Sequence, residues 1–215
     1  MVTKEEMQAA LAARHGSLEQ AMLSQARVAV AGLGGLGSNI AFSLARIGVG
    51  SLHLIDFDRV DITNLNRQQY FVHQIGMYKT EALRENLLKI NPYLDIRTDC
   101  VKADDSNVRE LFAEDMFICE AFDKAENKAM LVNAVLEGFP EKYLVAASGM
   151  AGFGGSNRIR TRKITEHFYL CGDETSDAEE GISLTAPRAA LCAAHQANMV
   201  VSLILGRADD DGSVK

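Results

Sequence analysis

Arg27-Val28-Ala29-Val30-Ala31-Gly32-Leu33-Gly34-Gly35-Leu36-Gly37-Ser38-Asn39 is an apolar strand running straight into a Gly-x-Gly-x-x-Gly turn, and Ile40 to Ile47 continues as a helix. Glycines at 32, 34 and 37 let the chain turn tightly and approach a phosphate chain with its backbone. The N–H groups and dipole of the following helix then face the anion. A glycine fingerprint alone is weak evidence, but here a strand precedes it and a helix follows. A second apolar strand, Ser51 to Ile55, ends in Asp56, nineteen residues beyond Gly37, where such a unit holds a ribose. The stretch therefore reads as a nucleotide site.

Outward from that unit, strands are expected at 27–31, 51–56, 94–101, 116–121 and 143–148, and helices at 35–47, 77–90, 105–113 and 124–137. This alternation predicts an α/β, Rossmann-like fold, a largely parallel sheet with helices on both faces. Asn91-Pro92 stops the second of these helices, because Pro92 biases Asn91 away from helix and has no N–H to donate. Lys4 to Gln25 reads as one or two amphipathic helices, an N-terminal helical extension. After Ser148 the pattern breaks. A glycine-rich stretch, Gly149 to Gly155, leads to an alternating strand, Asn157 to Lys163, with Arg158, Arg160 and Arg162 on one solvated face. His167 to Cys171 reads as a further short strand, which makes a C-terminal antiparallel extension. The acidic residues 172–181 are expected to be a mobile loop, and a helix over about 187–205 to pack back on the sheet. The division expected is a helical segment over 1–26, a nucleotide-binding domain over 27–207 and a disordered tail over 208–215.

The 215 residues suffice for one large domain with a sizeable core. The longest apolar runs are too short and too rich in glycine to span a bilayer, and no secretory signal opens the chain. A cytoplasmic location is expected. A net charge of −7 argues against a nucleic-acid partner, whose phosphates demand a basic surface. Four cysteines, at 100, 119, 171 and 192, form no C-x-x-C pair. Cys119 and Cys100 read as inert core thiols, and a disulfide framework is not expected.

From Asp56 the chain runs Asp56-Phe57-Asp58-Arg59-Val60-Asp61-Ile62-Thr63-Asn64-Leu65-Asn66-Arg67-Gln68. A dehydrogenase needs only the first acid for its ribose; here Asp58 follows, then Asn64, Arg67 and Gln68. Arg67 offers a bidentate fork for phosphate oxygens, and Asn64 and Gln68 suit phosphate or sugar. Lys79, opening the next helix, adds a point charge. Asp123 follows the fourth strand at the same carboxyl edge, where a carboxylate can hold magnesium on a polyphosphate. Lys124, Asn127 and Lys128 at that helix start read as surface. Two cations, a carboxylate and a glycine turn suit a triphosphate better than a dinucleotide.

This set resembles the ThiF/MoeB/ubiquitin-activating superfamily, which adenylates the C-terminal glycine of ubiquitin-fold carrier proteins. The matching pieces are Gly32-x-Gly34-Gly35-x-Gly37, Asp56-Phe57-Asp58, Asn64-x-Asn66-Arg67-Gln68, Gly76-x-x-Lys79, Asn91-Pro92 and Asp123, in family order over about residues 27–130. The resemblance implies that Asp56 holds the ATP ribose. Arg67 and Lys79 would stabilise the phosphates beside Asn64 and Gln68, and Asp123 would hold magnesium. It also implies a homodimer in which Arg14, in Ala12-Ala13-Arg14-His15, reaches the neighbour's phosphates.

Two departures bear on any step after adenylation. Many relatives bind a structural zinc through two C-x-x-C pairs, which this chain lacks, so zinc is not expected; His167-x-x-x-Cys171 with Cys192-x-x-His195 offers four alternative ligands. The loop before the last helix, Glu179 to Ala186, carries no cysteine for a later transfer step, and Cys171 lies only near the start of that loop. The length, the absent zinc motif and the ending Ala186-Pro187-Arg188…Ala194-His195-Gln196 resemble the short, zinc-free ThiF group of thiamine biosynthesis. The implied partner is a ThiS-like sulfur carrier ending in Gly-Gly. Longer MoeB-like and tRNA-modifying dehydratase members fit the length less well. Two other readings stand beside this one: a nucleotide-binding scaffold that docks a carrier without turnover, and an NAD(P)-dependent oxidoreductase.

Overall fold

The computed structural model describes residues 2–176 and 183–208. Two helices, α1 (Lys4–His15) and α2 (Ser17–Gln25), precede the strand β1 (Arg27–Ala31). Then come α3 (Gly37–Ile47), β2 (Ser51–Ile55), α4 (Lys79–Ile90), β3 (Asp95–Asp99), the short α5 (Val108–Leu111) and β4 (Phe117–Glu120). The remainder is α6 (Ala125–Gly138), β5 (Tyr143–Ala147), β6 (Arg160–Lys163), β7 (Phe168–Gly172) and α7 (Ala186–Ile204). The seven strands form one sheet in the order β3-β2-β1-β4-β5-β7-β6. Every neighbouring pair is parallel except β6–β7. This is the α/β, Rossmann-like arrangement that the alternation predicted. β1 lies centrally, so the chain leaves its carboxyl end between β2 and β4, where the strand order reverses and a crevice opens.

Period-two alternation splits β1 between two cores. Val28 and Val30 face one side with Ile40 and Leu44 of α3, Leu83 and Leu87 of α4, and Ala193 and Val200 of α7. Ala29 and Ala31 face the other with Phe112, Leu131 and Val135, under α5 and α6. Both faces are covered, which is why the central strands read as continuous apolar runs. Edge strand β3 instead alternates charge (Asp95, Arg97, Asp99), as fits a strand with one side in solvent.

Element ends differ from the sequence reading for local reasons. Gly34 and Gly35 stay in the turn, so α3 starts at Gly37. Met77 is bonded back to the preceding loop, Val60 N–H to Met77 O at 2.9 Å, and Tyr78 is extended, so α4 starts at Lys79. The helix expected over 105–113 shortens to Val108–Leu111, because Asp104 caps a turn by accepting from Ser106 N at 2.9 Å. Cys100, read as a core thiol, is exposed just past β3. Of the acidic stretch 172–181, Gly172 closes β7 and residues 173–176 turn around Asp173. The rest of that stretch lies outside the described residues, as does the 208–215 tail beyond Ala208.

Candidate nucleotide site

A cavity of about 810 Å³ opens at the carboxyl ends of β1, β2, β4 and β5. Gly32, Gly34 and Gly35 form one wall, and Asp56, Asp58, Arg67, Gln68, Lys79 and Asp123 also line it. The turn is closed by backbone contact. Gly32 has φ +93°, and a Cβ on Gly37 would stand 1.8 Å from the Gly32 carbonyl oxygen. Only a residue without a side chain fits there. Gly37 thus sits behind the turn and supports it, while the other glycines present backbone to the cavity.

Asp56 follows the end of β2 and is buried. Its Oδ2 accepts Leu33 N–H at 2.7 Å and its Oδ1 accepts Asp58 N–H at 2.8 Å, which ties the second strand to the glycine turn. Burial pushes the Asp56 carboxyl up, opposed by the nearby Lys79 ammonium and by those two N–H groups. Lys79 is itself buried; its Nζ lies 2.9 Å from Asp58 Oδ2 and 4.0 Å from Asp56 Oδ2. A desolvated ammonium beside a cavity, held by acids on one side, is a strong attractor for phosphate oxygens. The Arg67 guanidinium donates from Nη1 to Asn66 Oδ1 at 2.8 Å, while its Nε is buried without a partner. Gln68 Oε1 is likewise buried and unpartnered.

Asp123 is exposed at the cavity rim and makes no hydrogen bond or ion pair among the described residues. Lys124, not Asp123, is the N-cap residue before α6. Besides Gly37, two residues expected at the site do not line it. Asn64 Oδ1 instead accepts Asp61 N–H at 3.0 Å and caps the turn that leads to Arg67. Arg14 sits exposed in the last turn of α1, away from this chain's own cavity.

The sequence reading missed several groups. Lys128, read as surface, bonds both oxygens of the buried Glu120 at 3.0–3.1 Å and the Ala147 carbonyl at 3.2 Å, which joins the ends of β4 and β5. Arg188, near the start of α7, pairs with Asp173 at 2.5 Å and donates to the carbonyls of Met150, Gly154 and Gly155. It thereby holds the glycine-rich loop against the cavity's far end. Cys171 is fully buried, and burial pushes its thiol up to about 11, which leaves it a poor nucleophile at neutral pH. Burial likewise pushes Cys192 up to about 12. His167 Nδ1 lies 2.8 Å from the Pro140 carbonyl and His195 Nδ1 lies 3.0 Å from Thr161 Oγ1. Among the described residues, no three His, Cys, Asp or Glu side chains are grouped to hold a metal.

Fold and cavity together define a nucleotide-binding α/β protein. The ThiF family model matches residues 6–214, and the chain belongs to that family. It is 33% identical over 153 residues to the molybdopterin-synthase adenylyltransferase of Escherichia coli, covering 71% of this chain and 60% of that one. It is 44% identical over 78 residues to ubiquitin-like modifier-activating enzyme 5 of Caenorhabditis elegans, covering 36% of this chain and 19% of that one. The chain thus spans between about a fifth and 60% of the length of these two relatives. The crystal structure of the E. coli tRNA N6-threonylcarbamoyladenosine dehydratase TcdA with ATP superimposes with a TM-score of 0.86 at 20% identity, covering 99% of this chain and all of that one. That of E. coli MccB with ATP gives 0.68 at 24% identity, covering 88% and 59%. These superpositions speak to the fold. No helix among the described residues is long and apolar enough to cross a membrane.

Proposed function

We propose that this chain is an ATP-dependent adenylyltransferase that activates the C-terminal glycine carboxylate of a small ubiquitin-fold sulfur carrier ending in Gly-Gly. The observation that carries the reading is the convergence of the buried Lys79 ammonium, the Arg67 side chain and the open glycine turn on one cavity. Family membership supports it, and the molybdopterin-synthase adenylyltransferase relative names the same chemistry.

In this reading the ATP phosphates lie along the glycine turn and Asp56 receives the ribose. A carboxylate oxygen of the acceptor attacks the α-phosphorus. The new O–P bond forms as the bond from the α-phosphorus to the oxygen bridging it to the β-phosphorus breaks, and that oxygen leaves with pyrophosphate. No side-chain nucleophile is needed. Arg67 and Lys79 neutralise the charge that builds on the leaving group, and the rigid turn orients it. Asp123 fits a magnesium site, because it is an unpaired carboxylate on the rim and Mg²⁺ commonly takes one or two carboxylates plus phosphate oxygens and water. The ion would add positive charge to the phosphates. With Cys171 buried and the described part of the loop before α7 without cysteine, the proposed activity ends at the acyl-adenylate. A homodimer with Arg14 reaching the neighbour's site belongs to the same proposal, as does the thiamine-linked branch of the family.

The decisive assay is ATP–pyrophosphate exchange with magnesium against a panel of Gly-Gly carriers. Exchange that depends on one carrier is expected and identifies it. Silence across the panel with ATP still bound would overturn turnover in favour of a scaffold. The chain's net charge of −7 makes RNA the less favourable acceptor.

A further inference from the structure

Behind the cavity wall runs a set of uncharged hydrogen bonds that the chemistry above does not use. Asn39, two residues into α3, donates from one amide nitrogen to two carbonyls, Gly35 O at 2.7 Å and Arg67 O at 3.2 Å. Its Oδ1 accepts Gln69 Nε2 at 2.7 Å. One side chain thus bridges the glycine turn and the residue whose guanidinium faces the phosphates. The neighbours repeat the pattern. Ser38 Oγ donates to Gly34 O at 2.6 Å and accepts Gln69 N–H at 3.1 Å, and the Tyr70 hydroxyl donates to Leu33 O at 2.8 Å. The stem of Arg67 lies across Gly35, its Cγ 3.3 Å from where a Cβ would stand. Arg67 is therefore held by its stem, its carbonyl and its Nη1, which donates to Asn66 Oδ1 at 2.8 Å and to Thr63 O at 3.3 Å, and it lines the cavity.

We propose that Asn39, supported by Gln69, is a positioning residue that holds Arg67 against the glycine turn so that its side chain stays in the cavity wall where phosphate oxygens arrive. This rests on the nucleotide reading of the cavity. A primary amide suits that role, because it donates twice and accepts at fixed angles, and it does not titrate. Preordering a long cationic side chain also removes part of the conformational entropy that binding would otherwise cost.

The experiment is a double-mutant cycle on ATP affinity, read by calorimetric titration of the full chain with Mg-ATP. Arg67→Ala is expected to weaken binding between tenfold and a hundredfold, as for loss of a charge-assisted hydrogen bond. Asn39→Ala is expected to weaken it about tenfold. Because Asn39 acts through Arg67, the double variant should bind no worse than Arg67→Ala alone. Gln69→Ala serves as the milder probe should Asn39→Ala unfold, with a loss of about threefold that Arg67→Ala likewise masks. Losses that multiply in the double variant would overturn the positioning role while leaving the nucleotide reading intact. An Arg67→Ala protein that binds ATP as the wild type does would overturn the nucleotide reading, and the positioning role with it.

Discussion

Gly37 shows how little freedom the site allows a single residue. A methyl group at this position would meet the Gly32 carbonyl at 1.8 Å, and the obstacle is backbone, which cannot rotate aside. Gly37→Ala should therefore open the turn, weaken ATP binding at least tenfold and lower stability by about 1–3 kcal/mol. A urea titration beside a binding titration checks both effects, and an unchanged affinity would mean that the turn does not touch the nucleotide. Gly37, Asp56, Arg67 and Lys79 were all legible as chemistry, because the residue types and their order state what they can bind. Asn64 was legible only as a polar residue in the right place. Its carbonyl oxygen is taken by Asp61 N–H three residues back, a local competition that composition does not reveal.

Among the elements, the segment that closes the far end of the cavity depends on one ion pair. Arg188 and Asp173 have side chains 5% and 4% exposed, and they join α7 to the turn after β7. Burial alone would push the Asp173 carboxyl up. The N–H groups of Ser176 and Thr175, the Ser176 hydroxyl and the Arg188 guanidinium outweigh it and hold the carboxyl well below the usual range. A depressed carboxyl contributes stability above its unfolded-state pKa and loses it as pH falls toward the folded-state value. Asp173→Asn should thus cost about 3–5 kcal/mol near neutral pH, since it strands a buried guanidinium. The gap to the wild type should narrow below about pH 4, where the unfolded chain's aspartates protonate. Chemical denaturation at several pH values checks this, and a gap that stays constant to low pH would refute it. The existence and order of these elements were readable, because apolar periodicity and the Asn91-Pro92 stop are local signals. Their ends were not. The bonds that set the start of α4 and shorten α5 come from loops, Val60 to Met77 and Ser106 to Asp104.

The whole molecule carries a second polar centre far from its apolar pattern. His53 sits in the middle of β2 with no exposure, its ring nitrogens 2.7 Å from Asp115 Oδ2 and 2.7 Å from Asp99 Oδ2. Arg27 Nε, on β1, reaches the other Asp115 oxygen at 2.7 Å. The network fastens three strands to the turn before β4, running from Arg27 and Asp115 at the amino ends to Asp99, the last residue of β3. His53→Leu would leave Asp115 buried with half its partners gone, at an expected cost of about 3–5 kcal/mol. Equilibrium unfolding measures it, and an unchanged denaturation midpoint would refute it.

Sequence alone determined the α/β alternation, the glycine turn, the acid after β2 and the family, because each is written in residues near one another or in a repeating apolar period. Tertiary structure decided what stands between them. Asn39 and Arg67 are 28 positions apart, and Lys142 and Phe112, joined through a buried ammonium at 2.5 Å, are 30 apart. Cys171 reads as a loop-proximal thiol in one dimension and lies fully buried in three. A hydrogen bond needs its partners within about 3 Å and aligned. Only packing of the hydrophobic faces brings distant segments that close, so the apolar pattern chooses the fold while the polar partners become visible only once the core has formed.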